Sequence, residues 1–97
     1  MANLLSSQTS DTTGTGSSHS APCTVYLKGT FGGATCEIQV SDADSNYANV
    51  SIDGVNKQAV FRGPGQISLN NLGTYYVRAV LSGSTSTTSV SVVTVTA

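Results

Sequence analysis

From Pro22 onward the chain alternates. Cys23, Val25 and Leu27 are separated by Thr24, Tyr26 and Lys28. After the glycine-rich run Gly29-Thr30-Phe31-Gly32-Gly33, Ala34, Cys36, Ile38 and Val40 are separated by Thr35, Glu37 and Gln39. A period of two predicts two strands with one buried and one wet face, here joined as a hairpin. Residues 41–46 form a polar turn. Ala48, Val50 and Ile52 mark a third strand, closed by Asp53-Gly54. A fourth covers 58–62 and ends at Gly63-Pro64-Gly65. A fifth covers 66–70, with Ile67 and Leu69 inward. A sixth covers 74–81, with Tyr75, Val77, Ala79 and Leu81 on the inner face and Tyr76 and Arg78 on the outer one. The last covers 88–96. There Val90 and Val92 share one phase and Val93 and Val95 the other, which predicts a bulge or a strand buried on both faces.

No window carries a helical period, and Val, Ile and Thr supply 27 of the residues, as a pleated scaffold favours. About seven short strands with closely spaced turns predict an all-β fold, a small antiparallel β-sandwich. The motif Gly73-x-Tyr75-x-Val77 resembles the tyrosine corner of immunoglobulin-like sandwiches. That likeness implies a buried Tyr75 whose hydroxyl bonds backbone near Asn70 or Asn71.

The first residues obey a different rule. Between Ser6 and Ser20 there is no aliphatic side chain, and ten residues are Ser or Thr. Such a segment has little apolar surface to offset its ordering entropy. The chain therefore divides into an extended Ser/Thr-rich arm, 1–21, and a sandwich, 22–97. Leu4 and Leu5 read as an apolar hook at the tip of the arm, held by a partner; the alternative is an arm packed against its own domain. His19, alone on the arm, joins them as a candidate contact, as do Tyr76 and Arg78 on the outer sheet face.

Charge narrows the partners. Charged residues make up 9% of the 97, and four basic and five acidic residues give a net charge of −1. No basic patch offers phosphates a counterion-release surface, so nucleic acid is not an expected partner. Neither an anionic membrane surface nor a spanning helix is expected. The amino terminus lacks the cationic and apolar stretches of a signal peptide, so export through a cleaved signal is not expected.

Candidate chemistry is sparse. Cys23 and Cys36 both take the inward phase and miss each other along a hairpin ladder, which predicts two buried free thiols, the alternative being a disulfide clasp in an exported protein. Asp42, Asp44 and Asn46 have calcium-loop spacing, but Tyr47 stands where that loop needs glycine, so a solvated turn is the better reading. His19 has no neighbour at metal-ligand spacing. Tyr26, Tyr47, Tyr76 and Phe61 are the aromatics available to a sugar-binding face. No acid–base or nucleophile constellation appears, so no enzyme, cofactor or metal is expected.

The run Val25-Tyr26-Leu27-Lys28-Gly29-Thr30-Phe31-Gly32-Gly33-Ala34, then Gln39-Val40-Ser41-Asp42 and the later Gly73-x-Tyr75-x-Val77-Arg78-Ala79-x-Leu81-Ser82-Gly83, resembles small β-sandwich structural proteins of tailed bacteriophages. The resemblance implies a virion component made in the host cytoplasm. Its expected role is capsid decoration, a cement protein bound in many copies to the major capsid protein shell. The alternatives are a tail, neck or fibre-base accessory, and an immunoglobulin-like module binding carbohydrate or another surface.

Overall fold

A computed structural model describes residues 2–52, 57–58, 60–69 and 73–96. Two antiparallel sheets pack face to face, and no helix occurs among the described residues. The first sheet runs in the order β1 (Ala2–Gln8), β12 (Ser89–Thr96), β4 (Cys23–Thr30), β10 (Gly65–Leu69). The second is centred on β11 (Tyr75–Ser82) and β5 (Thr35–Ser41). Its β11 side is bordered by β2 (Thr12–Thr13) and β3 (Ser17–His19), its β5 side by β6 (Ala48–Asn49) and β9 (Val60–Phe61). A separate ribbon pairs β7 (Ser51–Ile52) with β8 (Lys57–Gln58).

The alternating residues build the core as the pattern predicts. Val25, Leu27, Cys36, Ile38, Val77, Ala79, Leu81, Val90 and Val92 are all buried. The pairing differs, however. β4 and β5 do not form a hairpin: β4 pairs with β12 and β10, and β5 pairs with β11. The turn at Phe31–Ala34 instead carries the chain from one sheet to the other, with Gly32 and Gly33 at φ 58° and 94° and Ala34 N–H donating to Phe31 O at 2.9 Å. Alternation cannot separate the two arrangements, because both send the same side chains inward. What fixes the crossing is Phe31, buried at the end of the core, and the 83–88 turn beside it. There Thr88 donates to Phe31 O at 2.8 Å and Thr85 to Gly32 O at 2.7 Å.

The last strand has no bulge: Ser89 to Thr96 pairs with Thr30 to Cys23 in unbroken register. Its apparent phase slip arises because a polar residue, Thr94, takes the inward place, fully buried, while Val93 is half-buried and Val95 is 42% exposed.

The largest departure is at the amino terminus. Residues 2–19 are not an arm standing off the sandwich; they supply edge strands to both sheets. β1 lies on β12 with register shifts between Asn3 and Leu5 and between Leu5 and Gln8. A regular strand would send Leu4 and Leu5 to opposite faces. The first irregularity lets both turn inward, where they are 7% and 6% exposed. Ser7, at φ 47°, carries the second, its N–H donating to Ser91 Oγ at 3.0 Å. The chain then crosses to the other sheet, where Gly14 N–H donates to Ala79 O at 2.8 Å between β2 and β3. Composition argued for disorder because it averages over the segment. Two leucines at the tip, plus backbone bonds along two open sheet edges, supply what the average hides.

Cys23 and Cys36 are buried free thiols on different sheets. Burial pushes the Cys36 thiol up to about 12, so it stays protonated at neutral pH. Reductant is therefore expected to leave the melting temperature unchanged, and iodoacetamide to leave the folded chain unlabelled. A fall in melting temperature under reductant would contradict this arrangement.

Candidate functional site

The outer face of the β5–β11 sheet carries an organised cluster of polar and aromatic side chains in which Gln39, Tyr47, Tyr76 and Arg78 are half-buried and Asp44 is exposed. Arg78 and Gln39 are direct partners across the two strands, and Arg78 Nε donates to Gln39 Oε1 at 2.8 Å. The 42–47 turn, closing the β5–β6 hairpin, folds back over the same face. Asp44 and Asn46 take φ 56° and 52°, a conformation Asp and Asn tolerate. Ser41 Oγ accepts N–H bonds from Ala43 and Ser45, both at 3.2 Å. This folding places the Tyr47 ring 4.0 Å from the Arg78 guanidinium carbon, a cation–π contact. The Tyr47 hydroxyl donates to Asp44, and any side chain at Gly16 would run into both groups. Partial burial and the bond to the Asp44 carboxylate push the Tyr47 phenol up to about 12. Tyr76 is half-buried on this face, two residues before Arg78.

Tyr76 and Arg78 thus stand where the sequence puts them. Gln39, Asp44 and Tyr47, which fix the geometry of Arg78, were not legible as its partners. A turn folding back over a sheet leaves no periodic trace. The four aromatics do not form one face. Tyr47 and Tyr76 share this sheet, Tyr26 lies on the other, and Phe61 packs against the core.

The other candidate contacts are internal. Leu4 and Leu5 are core residues, which removes them as a partner-facing hook. His19 is 8% exposed and sits at the seam between the sheets. Its ring stacks on Tyr75, centroids 5.7 Å apart, and its Nε2 lies 3.4 Å from Thr94 Oγ1. Tyr75 is buried as expected, but its hydroxyl donates to Ala21 O at 2.6 Å and lies 3.3 Å from Cys23 Sγ. This bond runs to the segment before β4, not to a turn a few residues upstream, so the corner expectation is corrected. β3 lies alongside the start of β11, with His19 opposite Tyr75, and so brings Ala21 within reach. Asn70, Asn71 and the Asp53-Gly54 turn lie outside the described residues.

Burial holds the His19 pKa below its ordinary 6.5. Its neutral form is favoured in the folded state, so the unfolded chain takes up a proton first as pH falls. The His19 contribution is complete above about pH 6.5 and is lost on acidification below it. The chain has one histidine. The melting temperature is therefore expected to drop between pH 7.5 and 5.5, and the drop to flatten in His19→Phe. An equal drop in that variant would assign the effect elsewhere.

An open groove of about 320 Å³ lies at the Tyr75 end of the same sheet, lined by Val40, Ser41, Asp42, Asn46, Ala48, Thr74 and Tyr75. Among the described residues, no group of three or more His, Cys, Asp or Glu side chains gathers as a metal site would require. No protein-family model matches the chain, and neither a curated protein nor a solved structure matches it significantly.

Proposed function

We propose that this chain is a structural component of a tailed-bacteriophage particle, a decoration protein docking in many copies on the major capsid protein shell at the virion surface. The observation that carries the docking half of this reading is the Arg78 platform. A guanidinium already held by Gln39 and Tyr47 gives up little side-chain freedom on binding. Tyr and Arg are the side chains that most often anchor interfaces. Near-neutral charge also favours the reading, because close copies repel weakly. The phage assignment rests on the resemblance of the 25–42 and 73–83 runs. Docking passes from the amino-terminal segment, which is built into the sandwich, to the outer sheet face.

The test is made on particles banded from lysates of the source phage. Hundreds of copies per particle, judged against the major capsid protein, are the expected result. Arg78→Ala is expected to weaken rebinding to stripped particles at least tenfold while shifting the melting temperature by only a few degrees. A dozen copies or fewer would move the protein to the neck or tail. Its absence from the particle would overturn the proposal.

A further inference from the structure

We propose that residues 2–19 are an exchangeable element: the segment that completes one copy of the sandwich can instead complete a second copy of the same chain. Four observations converge. First, the strands of the segment pair with the body at open edges, β1 on β12 and β2 and β3 on β11, and the side chains that lock it in, Leu4, Leu5 and His19, all belong to the segment itself. Leaving requires no other strand to move. Second, its anchor is discrete. Leu4 and Leu5 fill the core beside the fully buried Val90 and Val92, and an identical pair from another copy fits the same place. Third, the edge it covers would not stay bare: β12 would present unpaired backbone and uncovered apolar side chains. Fourth, the pivot is short and stiff. Only Ser20, Ala21 and Pro22 join β3 in one sheet to β4 in the other. Pro22 fixes its own φ and biases Ala21 toward extended backbone. The Ala21 carbonyl is further held by Tyr75. A short constrained hinge invites exchange, because opening it straightens the connection.

The contacts made are the same in the closed and exchanged forms, so the balance depends on concentration. Closure wins in dilute solution, where the tethered segment has an effective concentration of about millimolar. Exchange wins where copies are crowded, and each exchanged segment then links neighbours.

The test uses two full-length variants with one new cysteine each, Asn3→Cys at an exposed position and Val93→Cys at a half-buried one. These positions face one another across β1 and β12. The two are mixed, concentrated to about millimolar, diluted, oxidised with copper–phenanthroline and run on a non-reducing denaturing gel. Exchange puts residue 3 of one copy against residue 93 of the other, so disulfide-linked heterodimer is expected to exceed both homodimers severalfold. Inserting Gly-Ser-Gly after Ser20 is expected to cut the heterodimer at least tenfold with an unchanged melting temperature. Monomers only, or heterodimer no more abundant than homodimers, would overturn the proposal. So would heterodimer insensitive to the inserted residues, which would mark random surface collision.

Discussion

Leu4→Ala combined with Leu5→Ala is expected to leave the chain largely unfolded at 37 °C. Each side chain is buried, at 7% and 6% exposure, and packs in the common core. A buried Leu→Ala truncation costs about 2–5 kcal/mol, because the transfer energy is lost and a cavity remains. Two such losses compare with the whole stability of a small domain, about 5–15 kcal/mol. Removal of residues 1–20 should act in the same direction. It would strip the edge from β12 and β11 together, where a detached arm would leave the sandwich intact. Urea unfolding followed by far-ultraviolet dichroism measures the change, with Ser6→Ala as an exposed control on the same strand. A double variant within about 1 kcal/mol of the natural chain, the combined effect of two surface substitutions at about 0.5 kcal/mol each, would return the segment to the status of an arm.

The long strands at 23–30, 35–41 and 75–82 were legible because each hydrophobic residue does one job, whereas the expected strands 48–52 and 58–62 are each split between two sheets, as β6 and β7 and as β8 and β9. Cys23, Val25 and Leu27, or Tyr75, Val77, Ala79 and Leu81, point to one side and are buried on it. Pairing was less legible than phase. The turn at Phe31–Ala34 reads equally well as a hairpin and as a crossing, and only the partner strands, distant in sequence, decide. The amino-terminal strands were hidden by a different cause. Their Ser and Thr side chains contribute little, and what holds β2 and β3 is backbone bonding to β11, which any residue but proline can donate. Thr94 misled in the opposite way: a polar residue in an inward place made the valines on either side look out of step. For the site, sequence gave the outward phase of Tyr76 and Arg78. It could not give the fold-back of the 42–47 turn that puts Tyr47 over Arg78.

Tyr75→Ala is expected to be the most damaging single substitution. The ring is 3% exposed and stacks on His19, and the hydroxyl holds Ala21 O at 2.6 Å. Losing a buried aromatic costs about 3–5 kcal/mol, and here the loss also removes the stack on His19 and the hydroxyl bond to Ala21 O. Tyr75→Phe separates the two contributions. It keeps the ring and leaves the Ala21 carbonyl without its hydroxyl partner, a loss of about 1–3 kcal/mol. In Tyr75→Phe the His19 stack survives, so the drop in stability between pH 7.5 and 5.5 should persist. In Tyr75→Ala the imidazole gains solvent, its pKa returns toward 6.5, and the drop should shrink. Urea titrations of both variants at the two pH values measure these terms. If Tyr75→Phe is silent and Arg78→Ala unfolds the chain, the two faces of β11 are reversed, and Arg78 with its Tyr47 stack belongs to the core.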